Sequence, residues 1–390
     1  MRILYVVSRP LEINTSASIR NKATIEGLIE LGHQVDLVTT QYDTNHSNFD
    51  KDILNENLNV EYLKLGGIQG FAKVGRKYKY LRPIKNMLYN FMSKFEIYDN
   101  LKGIVEHSTR IEINDEKYDL IISSSDPKSS HLFIHRIFEI GLIRDTPWIQ
   151  IWGDPFLSDI TRKNNILSIK IKKEETKLLK YANKVIYVSN LTLNEQQKIY
   201  KEFAYKMFYE PIPYVKEELY PITLKQNKSL TFLYCGDYSS NIRTIKPLYD
   251  AINNTSHKLI ICGNTDLKLK STDRIKIYPR VSYEKTKEFE SKCDVLVHLS
   301  NNRGTQIPGK LYQYSGTNKL ILFILDGNTQ LIKESFSKYH RYVFSENKVE
   351  NIESTIFDIA QDIYSETQFV VKDFSPKIIA NRIINITKDV

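Results

Sequence analysis

The sequence predicts an α/β protein of two doubly wound parallel sheets, and three observations predict it. Short apolar runs alternate with helical stretches from the first residues onward. The series is interrupted by Pro211, Pro213 and Pro221 and by a charged, turn-rich stretch over 212–229, then starts again. At 390 residues the chain is too long for one ordinary α/β core and long enough for two.

The first forty residues contain the whole repeating unit. Residues 2–8 are an apolar strand, and 9–15 a polar loop with one proline. Thr15 or Ser16 caps a helix with Ile19, Ala23, Leu28 and Leu31 among its apolar positions. Gly32-His33 ends it, and 35–39 is the second strand, as a parallel βαβ unit requires. Similar strands recur at 60–65, 120–123, 148–152 and 184–188. After the interdomain stretch the runs at 230–235, 258–262, 275–277, 295–299 and 320–324 are apolar throughout, the pattern of a sheet covered on both faces. Residues 375–388 form an amphipathic helix that follows Pro376.

A hydrophobic fraction of 41% and a charged fraction of 26% are those of a soluble globular protein. No run approaches the roughly 18–20 apolar residues that span a bilayer. The apolar start is interrupted by Arg9, Glu12 and Arg20 with no small-residue cleavage site, so it is read as a strand, not a signal peptide. Cys235, Cys262 and Cys293 lie in apolar runs without metal-ligand spacing, the pattern of buried free thiols in a reducing compartment. The net charge of +9 calls for an anionic partner: nucleic acid, an acidic membrane or a phosphorylated small molecule.

Ligands of doubly wound sheets bind beyond the carboxyl ends of the strands, which directs attention to the loops there. The loop over 9–18 has no glycine, and no G-x-G-x-x-G occurs anywhere, which counts strongly against a nicotinamide or flavin dehydrogenase. The sharpest local signal is Gln306-Ile307-Pro308-Gly309-Lys310-Leu311-Tyr312-Gln313-Tyr314. A Pro-Gly turn opening a helix presents backbone N–H groups to a phosphate, and Lys310 adds a charge. The plainer reading is a proline-started helix with a solvated lysine.

This segment resembles the P-(S/G)-K-x-Y-E-Y motif of family-four retaining glycosyltransferases. Other pieces match in the same order. Ser16-Ala17-Ser18-Ile19-Arg20 with Leu31-Gly32-His33-Gln34-Val35 is similar to the family's small-residue loop, arginine and G-H-E-V turn. Residues 119–127 resemble its strand ending in Ser-Ser-Pro, Ile151-Trp152-Gly153-Asp154-Pro155 its strand ending in aspartate, and 181–189 its A-D-x-V-I-x-V-S strand. Tyr234-Cys235-Gly236-Asp237, Ile261-Cys262-Gly263 and 293–299 match strands of its second domain. The resemblance spans nearly the whole chain and is greatest to members that build bacterial surface polysaccharides.

The resemblance implies the GT-B fold: two Rossmann-like domains facing each other across a cleft. Residues 1–218 would bind the acceptor and 219–372 the nucleotide-sugar, with 373–390 packing back on the first domain. It places Gly236, Asp237 and Tyr238, Gly263 and Asn264, and Ile307, Pro308, Gly309 and Leu311 around the nucleotide and diphosphate. Lys310 and Arg243 are the cations expected on the leaving diphosphate, and Arg280 is placed near the base. Ser16, Ser18 and Arg20 would face the diphosphate from the first domain. Asp154 would bind a sugar hydroxyl or orient the acceptor; the alternative is a capping aspartate before Pro155. His131, inside a helix, is read as packed or solvated. The implied chemistry is retaining transfer by electrostatic stabilisation of the leaving group, without metal or other cofactor.

Two departures bear on catalysis. The family's paired glutamates fall on Thr305 and Gln313. Gln313 keeps hydrogen-bonding capacity for a ribose hydroxyl but is neutral. The glycine that usually follows the helix is Asn318.

Residues 71–94 hold seven Lys/Arg and no Asp or Glu, interleaved with aromatic and aliphatic residues at helical spacing after Pro83. Lys73, Arg76, Lys77, Lys79, Arg82 and Lys85 are the expected membrane contacts. Residues 162–180 add seven basic residues against Glu174 and Glu175. These stretches point to an anionic membrane surface, and no nucleic-acid motif accompanies them. The sequence is thus read as a cytoplasmic GT-B glycosyltransferase, peripheral on the inner membrane face. Its donor would be a nucleotide-sugar and its acceptor a glycan carried on a lipid. The rivals are a catalytically inactive binding subunit and a nucleotide-sugar 2-epimerase on the same fold.

Overall fold

The computed structural model describes residues 1–46, 48–50, 58–65, 96–162, 167–221, 229–362 and 368–388. They form two compact units, one of residues 1–211 with 376–390 and the other of residues 212–375. Both are α/β with a parallel sheet.

Unit 1 carries β1 (Arg2–Val6), β2 (Gln34–Thr40), β3 (Asn59–Leu63), β4 (Leu120–Ser124), β5 (Trp148–Trp152), β6 (Lys184–Tyr187) and β7 (Met207–Tyr209). The order across the sheet is β3-β2-β1-β4-β5-β6-β7. Helices α1 (Ser16–Glu30), α2 (Ser129–Glu139), α3 (Ser168–Tyr181) and α4 (Asn190–Ile199) connect them. Thr15 caps α1 by accepting from the Ser18 N–H at 3.1 Å. Gly32, with φ of 81°, ends the helix in the left-handed conformation that glycine adopts without steric cost. β4 and β5 are buried along their whole length, as strands covered on both faces are. Even Gln150 in β5 is satisfied there, donating to the Leu178 carbonyl at 2.9 Å and accepting from Trp152 Nε1 at 3.0 Å.

Unit 2 carries β8 (Thr231–Cys235), β9 (Lys258–Cys262), β10 (Ile275–Tyr278), β11 (Val295–Leu299), β12 (Leu320–Leu325) and β13 (Tyr342–Glu346) in the order β10-β9-β8-β11-β12-β13. Its helices are α5 (Lys246–Asn253), α6 (Tyr283–Lys292), α7 (Lys310–Ser315), α8 (Thr329–Ser337) and α9 (Val349–Asp362). Residues 212–218, which the sequence reading assigned to the first domain, pack with this unit. The Tyr214 N–H donates to the Phe374 carbonyl at 3.0 Å, Val215 N–H to Gln313 Oε1 at 3.0 Å and Glu218 N–H to the Gly316 carbonyl at 2.9 Å. The stretch between the sheets is therefore bound, not loose, over its described part.

The last helix, α10 (Pro376–Thr387), belongs to unit 1 and packs on α1. Its buried stripe of Pro376, Ile379, Ala380, Ile383 and Ile384 has helical periodicity. Gly27 in α1 makes the close approach of the two helices feasible: a Cβ there would stand 2.2 Å from the Pro376 carbonyl oxygen. Gly27→Ala is expected to prise α10 away and lower stability by about 2–3 kcal/mol, the cost of overpacking against backbone. Chemical denaturation would measure it, and an unchanged midpoint would refute the account.

Candidate functional site

In each sheet the strand order reverses direction once, between β1 and β4 in unit 1 and between β8 and β11 in unit 2. Loops at the carboxyl ends of such strands diverge and leave room for a ligand. Each reversal point holds an arginine tied to its neighbours.

In unit 2 that residue is Arg243. Its Nε and Nη2 donate to Asn301 Oδ1 at 3.1 and 2.7 Å, and Nη1 donates to the Asp237 carbonyl at 3.0 Å. Asn301 follows β11 and Asp237 follows β8, so one guanidinium bridges the two diverging loops. Asn301 Nδ2 in turn donates to the Gln306 carbonyl at 3.0 Å, which sets the entry to the Ile307–Gly309 turn. The guanidinium also hydrogen-bonds the Tyr234 hydroxyl, so it is held from both loops and from β8.

The loop after β8 is stitched to the loop after β9. Gly236 N–H donates to the Cys262 carbonyl at 2.8 Å, Tyr238 N–H to the Asn264 carbonyl at 3.1 Å and Asn264 N–H to Asp237 Oδ1 at 2.9 Å. Arg280 pairs with Asp237 Oδ2 at 2.5 Å, so the loop aspartate and the arginine placed near the base are ion-paired.

Lys310 opens α7, and its ammonium lies 3.3 Å from Glu290 Oε1 and 5.2 Å from the centre of the Tyr314 ring. Glu290 is buried, and it also accepts from Lys287 at 3.0 Å and from the Tyr220 hydroxyl at 2.9 Å. Burial alone would raise the Glu290 pKa, but Lys310 and Lys287 outweigh it and hold the carboxyl ionised below its ordinary value. The Lys310 charge is thus partly spoken for inside unit 2. Ile307 and Leu311 are buried in the protein interior, while Pro308 and Gly309 are half-buried. Gln313 spends its amide on backbone, accepting from Val215 N–H and donating to the Pro213 carbonyl at 3.1 Å.

In unit 1 the arginine is Arg20, on α1 and buried. Its Nη2 lies 3.4 Å from Ser124 Oγ at the end of β4. Its Nη1 occupies the space a side chain at Gly153 would fill, since a Cβ there would stand 2.2 Å away. Its Nε is buried without a partner among the described residues. Ser18 is turned inward, its hydroxyl donating to the Ile13 carbonyl at 2.7 Å, whereas Ser16 is exposed.

Asp154 follows β5 and shares its surroundings with Asp126, Lys128, Asp159 and Arg20. Lys128, almost wholly buried, forms an ion pair with Asp126 and another with Asp159 Oδ2 at 3.1 Å. Burial and the nearby Asp126 carboxylate push the Asp154 pKa up to about 7, against the pull of Lys128 and Arg20. Burial also opposes the charge on Lys128, yet Asp126, Asp159 and Asp154 together keep its ammonium protonated beyond its usual range. Three carboxyls face two cations, so a proton on Asp154 makes the group neutral.

His131 in α2 lies beneath this cluster in the core. Its ring is 4.3 Å from that of Trp152, and Nδ1 contacts Ser123 Oγ at 2.7 Å. Burial drives its pKa well below the ordinary value, so it stays neutral, a packed histidine.

Asp126, Lys128, Asp159, Glu290 and Asn301 were not anticipated from sequence. The signal available for Asp126 and Lys128 was their position just after a predicted strand; nothing local marks Glu290.

Lys73, Arg76, Lys77, Lys79, Arg82 and Lys85 lie outside the described residues. On α3, Ile169, Lys170, Lys172, Lys173, Lys177, Lys180 and Tyr181 are exposed. Glu175 does not offset that face. It is buried, accepting from the Phe156 and Leu157 N–H groups at 3.0 and 2.9 Å and from the Tyr200 hydroxyl at 2.7 Å. Among the described residues no helix is long and apolar enough to cross a membrane.

No family model matches the sequence, and no curated protein matches it. Solved structures do match in fold. The catalytic domain of starch synthase IV from Arabidopsis thaliana, bound to ADP and acarbose, aligns with a TM-score of 0.65 at 8% identity, over 100% of this chain and 98% of that one. Sucrose-phosphate synthase from Thermosynechococcus elongatus aligns with a TM-score of 0.61 at 13% identity, over 100% and 98%. A UDP-N-acetylglucosamine 2-epimerase from Rickettsia bellii aligns with a TM-score of 0.50 at 13% identity, over 100% and 96%. At these identities the likeness is one of fold: the chain has the two Rossmann-like units of the GT-B architecture.

Proposed function

We propose that the chain is a retaining glycosyltransferase of surface polysaccharide synthesis, moving a sugar from a nucleotide-sugar to a glycan carried on a lipid. Unit 2 takes the donor and unit 1 the acceptor. The observation that carries this reading is Arg243, whose guanidinium bridges the loops after β8 and β11 and fixes a positive charge at the point where the strand order reverses. A cation fixed at that place would stabilise the charge that develops on a departing diphosphate, and it needs no reorganisation to do so. Asp154, when ionised, accepts a hydrogen bond from an acceptor hydroxyl. The exposed lysines of α3 favour an anionic lipid surface for the acceptor, each contributing on the order of 1 kcal/mol.

Thermal stabilisation by UDP, GDP, ADP, CMP and their sugars tests the reading. A ligand at one hundred times its Kd stabilises the fold by about 2.7 kcal/mol. One nucleotide class is expected to raise the Tm, and Arg243→Ala to weaken its binding by roughly 10- to 100-fold, the worth of a charged hydrogen bond. No response to any nucleotide would sink the proposal. A donor epimerised without acceptor would identify an epimerase.

One observation favours a second reading, a binding subunit without catalysis. Thr305 and Gln313 stand where the resembled family has carboxylates, and the Gln313 amide is committed to backbone. Nucleotide binding with no transfer to any acceptor would select it.

A further inference from the structure

We propose that Cys235 and Cys262 form a vicinal dithiol that a peroxide closes into a disulfide between β8 and β9. The two residues are direct register partners in a parallel ladder, each the last residue of its strand. Register partners in a parallel pair point to the same face of the sheet. Neighbouring strands lie about 4.8 Å apart, inside the Cα separation of roughly 4.4–6.8 Å that a disulfide bridges. Both thiols are free and buried, at 8% and 3% exposure, so Cys235 is the one a small oxidant reaches first.

The surroundings divide the labour between the two sulfurs. The Cys262 thiol hydrogen-bonds Cys235 and holds its pKa below the ordinary value, with Lys310 assisting against burial. The same hydrogen bond and burial raise Cys262. Cys235 is therefore the attacking thiolate and Cys262 the thiol that resolves. Cys293 stands apart: it precedes β11 at the amino end of that strand, and its thiol donates to the Glu290 carbonyl at 3.3 Å.

In the first step the Cys235 thiolate attacks one peroxide oxygen. The O–O bond breaks, and the leaving hydroxide, or the alkoxide of an organic peroxide, takes up a proton and departs as water or alcohol. In the second step the Cys262 sulfur attacks the Cys235 sulfenic acid. The S–O bond breaks, the S–S bond forms, and the hydroxyl leaves as water with the Cys262 proton. A dithiol reductant reverses the bridge by thiol–disulfide exchange.

The test is intact-mass and peptide mapping of the full chain after brief treatment with hydrogen peroxide. The expected product has lost two hydrogens, with the peptide of Cys235 linked to that of Cys262, and dithiothreitol restores the starting mass. Cys235→Ser and Cys262→Ser should each abolish the bridge, and Cys293→Ser should retain it. Phenylarsine oxide, which bridges two close sulfurs and releases water, should bind once per untreated chain and not at all after peroxide treatment. Sulfinic acid on Cys235 beside an unmodified Cys262, a bridge to Cys293, or only intermolecular bridges would overturn the proposal. The peptide map of the unsubstituted chain decides the question even where a serine variant fails to fold.

Discussion

Replacing Gly263 by alanine is expected to cost unit 2 about 3 kcal/mol, at the top of the usual range for overpacking. The new Cβ would stand 2.0 Å from the Gly236 carbonyl oxygen and 2.6 Å from its carbon. Both atoms are backbone, so no side-chain rotation relieves the clash. Nor can the loops drift apart freely. The hydrogen bonds joining Gly236, Asp237 and Tyr238 to Cys262 and Asn264 would break, at roughly 1 kcal/mol each. For a unit of this size the loss corresponds to a fall in Tm of roughly 6–12 °C. Gly236→Ala is the internal control. Its Cβ would meet only the Tyr234 side chain, with the hydroxyl at 3.3 Å and Cζ at 3.6 Å, and no backbone atom. Equal melting of the two variants would show that the 236–264 contact does not hold the loops together. If the nucleotide occupies this edge, Gly263→Ala also loses the thermal response to it.

Most of the fold was legible because parallel strands are buried on both faces and leave unbroken apolar runs. Leu120–Ser124, Trp148–Trp152 and Leu320–Leu325 are buried throughout, and each was readable from residue type alone. The strands that escaped notice are edge strands. β7 has three residues, and β13 is only partly buried along most of its length. β7 is too short for its Met-Phe-Tyr run to stand out, and β13 turns polar at Ser345 and Glu346. Site residues divide in a similar way. Gly236, Gly263 and Asp154 follow strands, so local sequence locates them. Their electrostatic partners come from distant segments. Nothing in the spacing of Lys310 tells that Glu290 faces it, or that Arg280 reaches across to Asp237. Gln313 reads as a free polar group until residues 213–215 are seen to occupy both ends of its amide.

The pH response of Asp154→Asn follows from the same missing partners. In the native chain this carboxyl is raised to about 7 by burial and by Asp126, whereas in the unfolded chain it titrates near its ordinary value of 3.8. A raised carboxyl binds its proton more tightly when folded, so it costs stability as pH climbs from about 4 to 7, and the full cost is present above 7. Asparagine removes that cost. The variant should match the parent near pH 4, gain on it through this window and level off above it. The eventual gain is on the order of 2–4 kcal/mol for a carboxyl raised from 3.8 to about 7. Activity should move the opposite way. The ionised carboxylate is the form that accepts an acceptor hydroxyl, so parent kcat/KM should rise as pH passes through about 7. The asparagine variant should lose that rise together with roughly 100- to 1,000-fold of its rate. Urea titrations and pH–rate profiles on the same two proteins separate the two effects. A variant both more stable and less active at pH 8 is what a strained acceptor-site carboxylate requires. One that gained stability with full activity would reduce Asp154 to a structural charge.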